Sequence, residues 1–145
     1  MRVLVVEDDV AEAGVLLAAL ATRGHDVTHA RTVRDGVVCA RTAAYDVAIV
    51  DLGLPDAAGP EAVTIIRHAA RRAAVLVFTG TDDEATELAC YEAGAMDVLV
   101  KPARLAVIEH ALLESNARQT FANHAASHAA VMGARALAVA LVSGG

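Results

Sequence analysis

Five short apolar runs alternate with longer stretches whose apolar residues recur every three or four positions. The runs are RVLVV (Arg2 to Val6), HDVTHA (His25 to Ala30), DVAIV (Asp46 to Val50), AVLVFT (Ala74 to Thr79) and DVLV (Asp97 to Val100). Between them, Val10 to Arg23 carries Leu16, Leu17 and Leu20 at helical spacing and closes at Gly24. Thr32 is placed to cap a helix reaching about Ala44, and Gly59 to Arg72 reads as a helix that accepts Pro60 in its first turn. Asp82 or Asp83 starts a helix that Gly94 ends, and Arg104 to about Arg118 reads as the last helix of the repeat. Strands that are apolar along their whole length are buried on both faces, which requires a parallel sheet covered by helices on each side. Right-handed crossovers then give a doubly wound α/β sandwich. The second run alternates in polarity and so reads as an edge strand.

One hundred and forty-five residues suffice for one domain with a core, and 56% hydrophobic residues exclude a disordered chain. The net charge of -6, with no basic cluster beyond Arg71-Arg72, gives no footprint for nucleic acid. The N-terminus turns acidic after five apolar residues and does not read as a signal peptide. No apolar run reaches membrane-spanning length, ALAVALV (Ala136 to Val142) coming nearest, so no membrane is expected and the reading is cytoplasmic. Cys39 and Cys90 lack metal-ligand spacing and read as reduced core thiols.

In open parallel sheets the ligand lies just outside the carboxyl ends of the strands. Here those ends carry Glu7-Asp8-Asp9, Asp51, Thr79-Gly80-Thr81 and Lys101-Pro102. Carboxylates brought together repel and call for a cation, and an all-oxygen donor set suits a hard ion such as Mg²⁺. A carboxylate is also a nucleophile toward phosphorus, giving an acyl phosphate. Lys101 supplies a point charge to a phosphoryl oxygen, and the Thr79 hydroxyl a hydrogen bond. Asp9 reads as an acid at a helix N-terminus.

With VLVVEDD, IVDLGLPDAAG, VFTGTDD and EAGAMDVLVKP in this order, the chain from about Arg2 to Arg118 resembles the receiver domain of two-component response regulators. The resemblance implies a flavodoxin-like five-stranded parallel sheet in the order 2-1-3-4-5, with a C-terminal helical extension. It implies phosphorylation on Asp51 by a histidine kinase or phosphotransfer protein. Asp8 and Asp51, with the Gly53 backbone carbonyl, match the family's Mg²⁺ ligands, and Glu7 matches the acid that acts through water. Thr79 and Lys101 match the catalytic hydroxyl and lysine, and the bond before Pro102 is expected to be cis. Such a domain is a phosphoacceptor that catalyses its own phosphorylation and dephosphorylation, not a turnover enzyme, and signals to a downstream protein partner. The partner face is expected to lie on the fourth helix, fifth strand and fifth helix. Two alternatives compete: a degenerate receiver acting as a phosphorylation-independent interaction module, and a haloacid-dehalogenase-like phosphatase. The phosphatase class carries a second Asp two residues beyond the nucleophile, where this chain has Gly53.

The chain departs from that pattern in two places. Val98 stands where the family carries Tyr or Phe, and Ala103 where a Phe commonly follows Lys-Pro. With a stiff Val in place of a rotating ring, the signal is expected to pass through backbone shifts of the Gly80 to Glu84 loop. The second departure is the Ala-rich tail, 119–145, read as helical and separate from the receiver at 1–118. Ala126, Ala130 and Ala134 form a flat face, Met132, Ala136, Val139 and Val142 an apolar stripe, and Gly133 weakens the middle. Such a helix is expected to pack on its own receiver or to dimerise, with dimerisation preferred. His124 and His128 share a face without a third ligand, and His25, His29, His68 and His110 read as exposed or rim residues. No separate output segment is expected after the receiver.

Overall fold

The computed structural model describes residues 1–144. The strands are β1 (Arg2–Val6), β2 (Asp26–Ala30), β3 (Val47–Val50), β4 (Ala74–Thr79) and β5 (Asp97–Val100). The helices are α1 (Val10–Thr22), α2 (Val33–Thr42), α3 (Pro60–Ala69), α4 (Glu84–Glu92) and α5 (Leu105–Ser143). All strand pairs are parallel, in the order β2-β1-β3-β4-β5. The three central strands read as uninterrupted apolar runs because both of their faces are covered. Leu4, Val6, Ala48, Val50, Val75 and Val77 pack with α2, α3 and α4, and Val3, Val5, Val47, Ile49 and Leu76 pack with α1 and α5. β2 occupies one edge, which explains its alternation. Positive φ at Gly24 (84°) and Gly94 (108°) turns the chain after α1 and α4, as glycine allows without strain.

Two caps fix the upper edge of the sheet. Asp9 Oδ1 accepts the Glu12 N–H at 3.0 Å and starts α1, and Thr32 does the same for α2 through the Asp35 N–H at 3.0 Å. A second acid reaches α2 from across the structure. In the loop after β3, Asp56 accepts the Val33 and Arg34 N–H groups at 2.9 Å each. Those backbone hydrogen bonds hold its carboxyl below the usual range. A carboxyl with a depressed folded pKa stabilises above its unfolded value of 3.8, and the contribution is lost as the pH falls below that value. Asp56→Ala is therefore expected to cost about 1 kcal/mol at pH 7. In denaturant titrations the gap between the two proteins should close toward pH 3.

α5 differs from the expectation of a helix ending near Arg118. It runs unbroken to Ser143, through Gly133. A single glycine costs only about 1 kcal/mol relative to alanine, and the surrounding alanines are the best helix formers. Ile108, Ala111, Leu112, Ser115 and Gln119 are buried. Asn123 makes the last tie to the receiver, donating to the Arg72 carbonyl at 3.0 Å. From His124 to Gly144 every residue is exposed, so the tail does not fold back on its own domain. Gly145 lies outside the described residues. Joined into one helix, the Ala-rich segment contains an 18-residue window of mean hydropathy 1.5, long and apolar enough to cross a membrane by length and composition. Counting only uninterrupted apolar runs such as ALAVALV misses this window, because its small and weakly polar residues separate the runs without lowering the mean.

Candidate functional site

Ladder hydrogen bonds at the carboxyl edge carry the candidate residues past the ends of their strands. Glu7 N–H donates to the Ala30 carbonyl at 3.0 Å, Asp51 N–H to Val6 at 3.0 Å, and Lys101 N–H to Thr79 at 2.7 Å. Each side chain thus leaves from a fixed backbone. The loop after Asp51 is closed by a Gly59 N–H to Leu52 carbonyl bond of 3.0 Å and by an isolated bridge between Gly53 and Ala58. A Cβ on Gly53 would sit 3.4 Å from Asp51 Oδ2, so glycine leaves that face of the carboxylate open.

Oxygens of Glu7, Asp8 and Asp51 lie within 4.8 Å of one another. Glu7 is buried, and burial pushes its carboxyl above the ordinary value of 4.5. The Lys101 and Asp9 hydrogen bonds oppose that shift only in part. The donor set is all oxygen and three carboxylates strong, which fits a hard divalent cation and not a soft one.

Lys101 Nζ sits among the acids, 2.7 Å from Glu12 Oε2, 2.8 Å from Glu7 Oε2 and 3.5 Å from Asp51 Oδ1. Burial acts to lower its pKa, but the hydrogen bonds to Glu12 and Glu7 and the charge of Asp51 win and hold it well above the lysine range. The ammonium also lies 5.4 Å from the centre of the Phe78 ring. The Lys101-Pro102 peptide is cis. Thr79 is buried, and its Oγ1 accepts the Thr81 N–H at 3.2 Å, which orients the hydroxyl at the same edge. Val98 is half-buried against the core formed by β3, β4 and α3, and brings no ring to the switch position.

Glu12 was not among the residues expected at the site. The signal was present as the Asp9-x-x-Glu12 spacing of a capping box, in which the second acid normally reaches back to the cap's N–H. Here Glu7 Oε1 already accepts the Asp9 N–H, at 3.1 Å, so the Glu12 carboxylate is free to turn to Lys101.

One histidine, His25, departs from expectation, while His29 is half-buried at the rim. The His25 ring is buried, with Nε2 2.8 Å from Glu109 Oε1 across β2 and α5, and His29 Nε2 donates to the Glu7 carbonyl at 2.7 Å. His124 and His128 are exposed, and neither belongs to a metal-binding group among the described residues. Beside Lys101, a groove of about 360 Å³ opens between α1 and the start of α5, floored by Phe78, Ala103 and Ile108. Ala103 leaves this space open.

The doubly wound 2-1-3-4-5 sheet gathers three acids, a threonine and a lysine at its carboxyl edge. The family model of the response regulator receiver domain matches residues 3–113, and the chain belongs to that family. The probable transcriptional regulatory protein SilR of Salmonella typhimurium is 36% identical over 102 residues, covering 70% of this chain and 45% of SilR. The chain thus spans less than half the length of that relative. The receiver domain of sensor histidine kinase PA1611 from Pseudomonas aeruginosa PAO1 is 28% identical with a TM-score of 0.72, covering 80% of this chain and 97% of that one. That structure holds a magnesium ion in its active site cleft. A response regulator from Burkholderia pseudomallei, solved with a phosphorylated aspartic acid and a calcium ion, is 29% identical with a TM-score of 0.74. It covers 87% of this chain and 74% of its own.

Proposed function

We propose that Asp51 accepts a phosphoryl group from a phosphohistidine on a partner histidine kinase or phosphotransfer protein. The observation that carries this reading is the convergence of Asp51 with Glu7, Asp8 and Lys101 at one sheet edge. An Asp51 oxygen attacks phosphorus, a P–O bond forms, and the P–N bond to the imidazole breaks with its electron pair leaving on nitrogen. With acetyl phosphate as donor, the P–O bond to acetate breaks instead and acetate leaves. Asp8, Asp51 and the Gly53 carbonyl would hold Mg²⁺, with Glu7 as a further acid that would act through water. Mg²⁺, when bound, supplies positive charge to the phosphoryl oxygens. Lys101 stabilises a phosphoryl oxygen by charge, and the Thr79 hydroxyl donates a hydrogen bond to another.

Signalling is by protein contact in the cytoplasm, without direct nucleic-acid or membrane contact. Leu88 and Tyr91 of α4, Val100 of β5 and Val107 of α5 are exposed apolar residues on the face expected to meet the partner. With Val98 lacking a ring, the Gly80 to Glu84 loop transmits the change. The α5 extension, a separate functional segment from residue 119 onward, pairs two copies of the chain.

The test is intact-mass measurement after incubation with acetyl phosphate. One phosphoryl adduct is expected with Mg²⁺ present and none with excess chelator. An adduct equally abundant under both conditions would contradict the metal-assisted reading.

A further inference from the structure

An ammonium has three N–H donors, and those of Lys101 are met by three carboxylates. The tightest contact is to Glu12 and the loosest, by 0.7 Å relative to Glu7, is to the nucleophile Asp51, at 2.7, 2.8 and 3.5 Å in the order Glu12, Glu7, Asp51. We infer that Glu12 is a positioning residue that holds Lys101 in the resting site and must release it when Asp51 is phosphorylated. The inference rests on the reading of Asp51 as the phosphoacceptor.

A phosphoryl group on Asp51 presents three anionic oxygens where the loose 3.5 Å contact of Lys101 served one carboxylate oxygen, so drawing the ammonium closer to them pulls it away from one of its two tighter partners. Glu7 is not free to leave. It is buried, and its second oxygen is committed to the Asp9 N–H. Glu12 is the partner that can. Its side chain is 54% exposed, its backbone is fixed by the Asp9 cap, and Lys101 is the only hydrogen-bond partner of its carboxylate among the described residues. Turning outward, the carboxylate exchanges one ammonium for water, whereas staying would leave it beside an added negative charge. Glu12 also stands at the polar end of the groove between α1 and α5, beside Val15 and Leu16. Its release alters the mouth of that groove, giving α1 a link to the phosphorylation state that does not pass through Val98.

The test compares initial rates of phosphorylation by acetyl phosphate with Mg²⁺ in the parent, Glu12→Gln and Glu12→Asp, followed by intact mass. Freeing Lys101 from an exposed ion pair is expected to raise the rate roughly two- to fivefold in Glu12→Gln. Glu12→Asp keeps the charge but shortens the arm, so it should be accelerated as well. A gain in rate is not what loss of a merely structural contact produces. A Glu12→Gln rate equal to or below the parent's overturns the inference while leaving the phosphoacceptor reading intact. So does a Glu12→Asp rate equal to the parent's beside a faster Glu12→Gln, because charge and not contact would then be the cause. A parent protein that forms no adduct overturns both.

Discussion

Ending the chain after His124 is expected to convert a dimer into a monomer, measured by sedimentation, with little loss of thermal stability in the remaining receiver. The cut keeps the Asn123 to Arg72 tie and every buried residue of α5. What it removes is a helix segment whose described residues are all exposed. Ala122, Ala125, Ala129, Met132, Ala136 and Val139 recur at alternating spacings of three and four, the repeat of a two-helix seam. They continue the face on which Ile108, Ala111 and Ser115 are buried against the sheet. Small side chains on that face let two helix backbones approach closely. An isolated helix of this length gains little from propensity alone, so an apolar partner face is what stabilises it. Across 119–144 the only Lys, Arg, Asp or Glu is Arg135, so two copies meet without a large like-charge penalty. A full-length protein that sediments as a monomer would contradict the pairing, as would a shortened one that remains a dimer. Partition of the full-length protein into lipid vesicles would move the tail's partner from a second copy to a membrane, at the cost of placing Arg135 in the apolar layer.

The parallel sheet and its strand ends were legible in the sequence because burial on both faces leaves continuous apolar runs, and a carboxylate ending such a run has few structural reasons to be there; the strand order came only with the resemblance to receiver domains. Asp51 after VAIV and Lys101 after DVLV were therefore visible as site residues, and the structure brings them within 3.5 Å. Glu12 was not visible. Its place in the site depends on which acid takes the Asp9 N–H, and that choice is made by Glu7 from the neighbouring strand end. His25 was misread for a similar reason, since its partner Glu109 lies 84 residues away and the local pattern of an edge strand suggests exposure. The length of α5 was hidden because the receiver pattern ends near Arg118 and the Ala-rich tail reads as a separate segment; Gly133 does not break the joined helix, its local cost being outweighed by the alanines on either side.

The Lys101 cluster sets the charge at the carboxyl edge of the sheet. Against the lowering effect of burial, the hydrogen bonds to Glu12 and Glu7 and the charge of Asp51 raise the lysine's pKa and keep it an ammonium at neutral pH. Glu7, raised by burial, is stabilised as a carboxylate by the lysine and by the Asp9 backbone N–H.

The central claim is that Asp51 is the phosphoacceptor, and intact mass after incubation with Mg²⁺ and acetyl phosphate tests it most directly. The parent is expected to gain one phosphoryl group, lost on mild alkaline treatment as an acyl phosphate is. Asp51→Ala, which removes the nucleophile from an otherwise unchanged strand end, should gain none. An equal adduct on Asp51→Ala, or no adduct on the parent, would contradict the account.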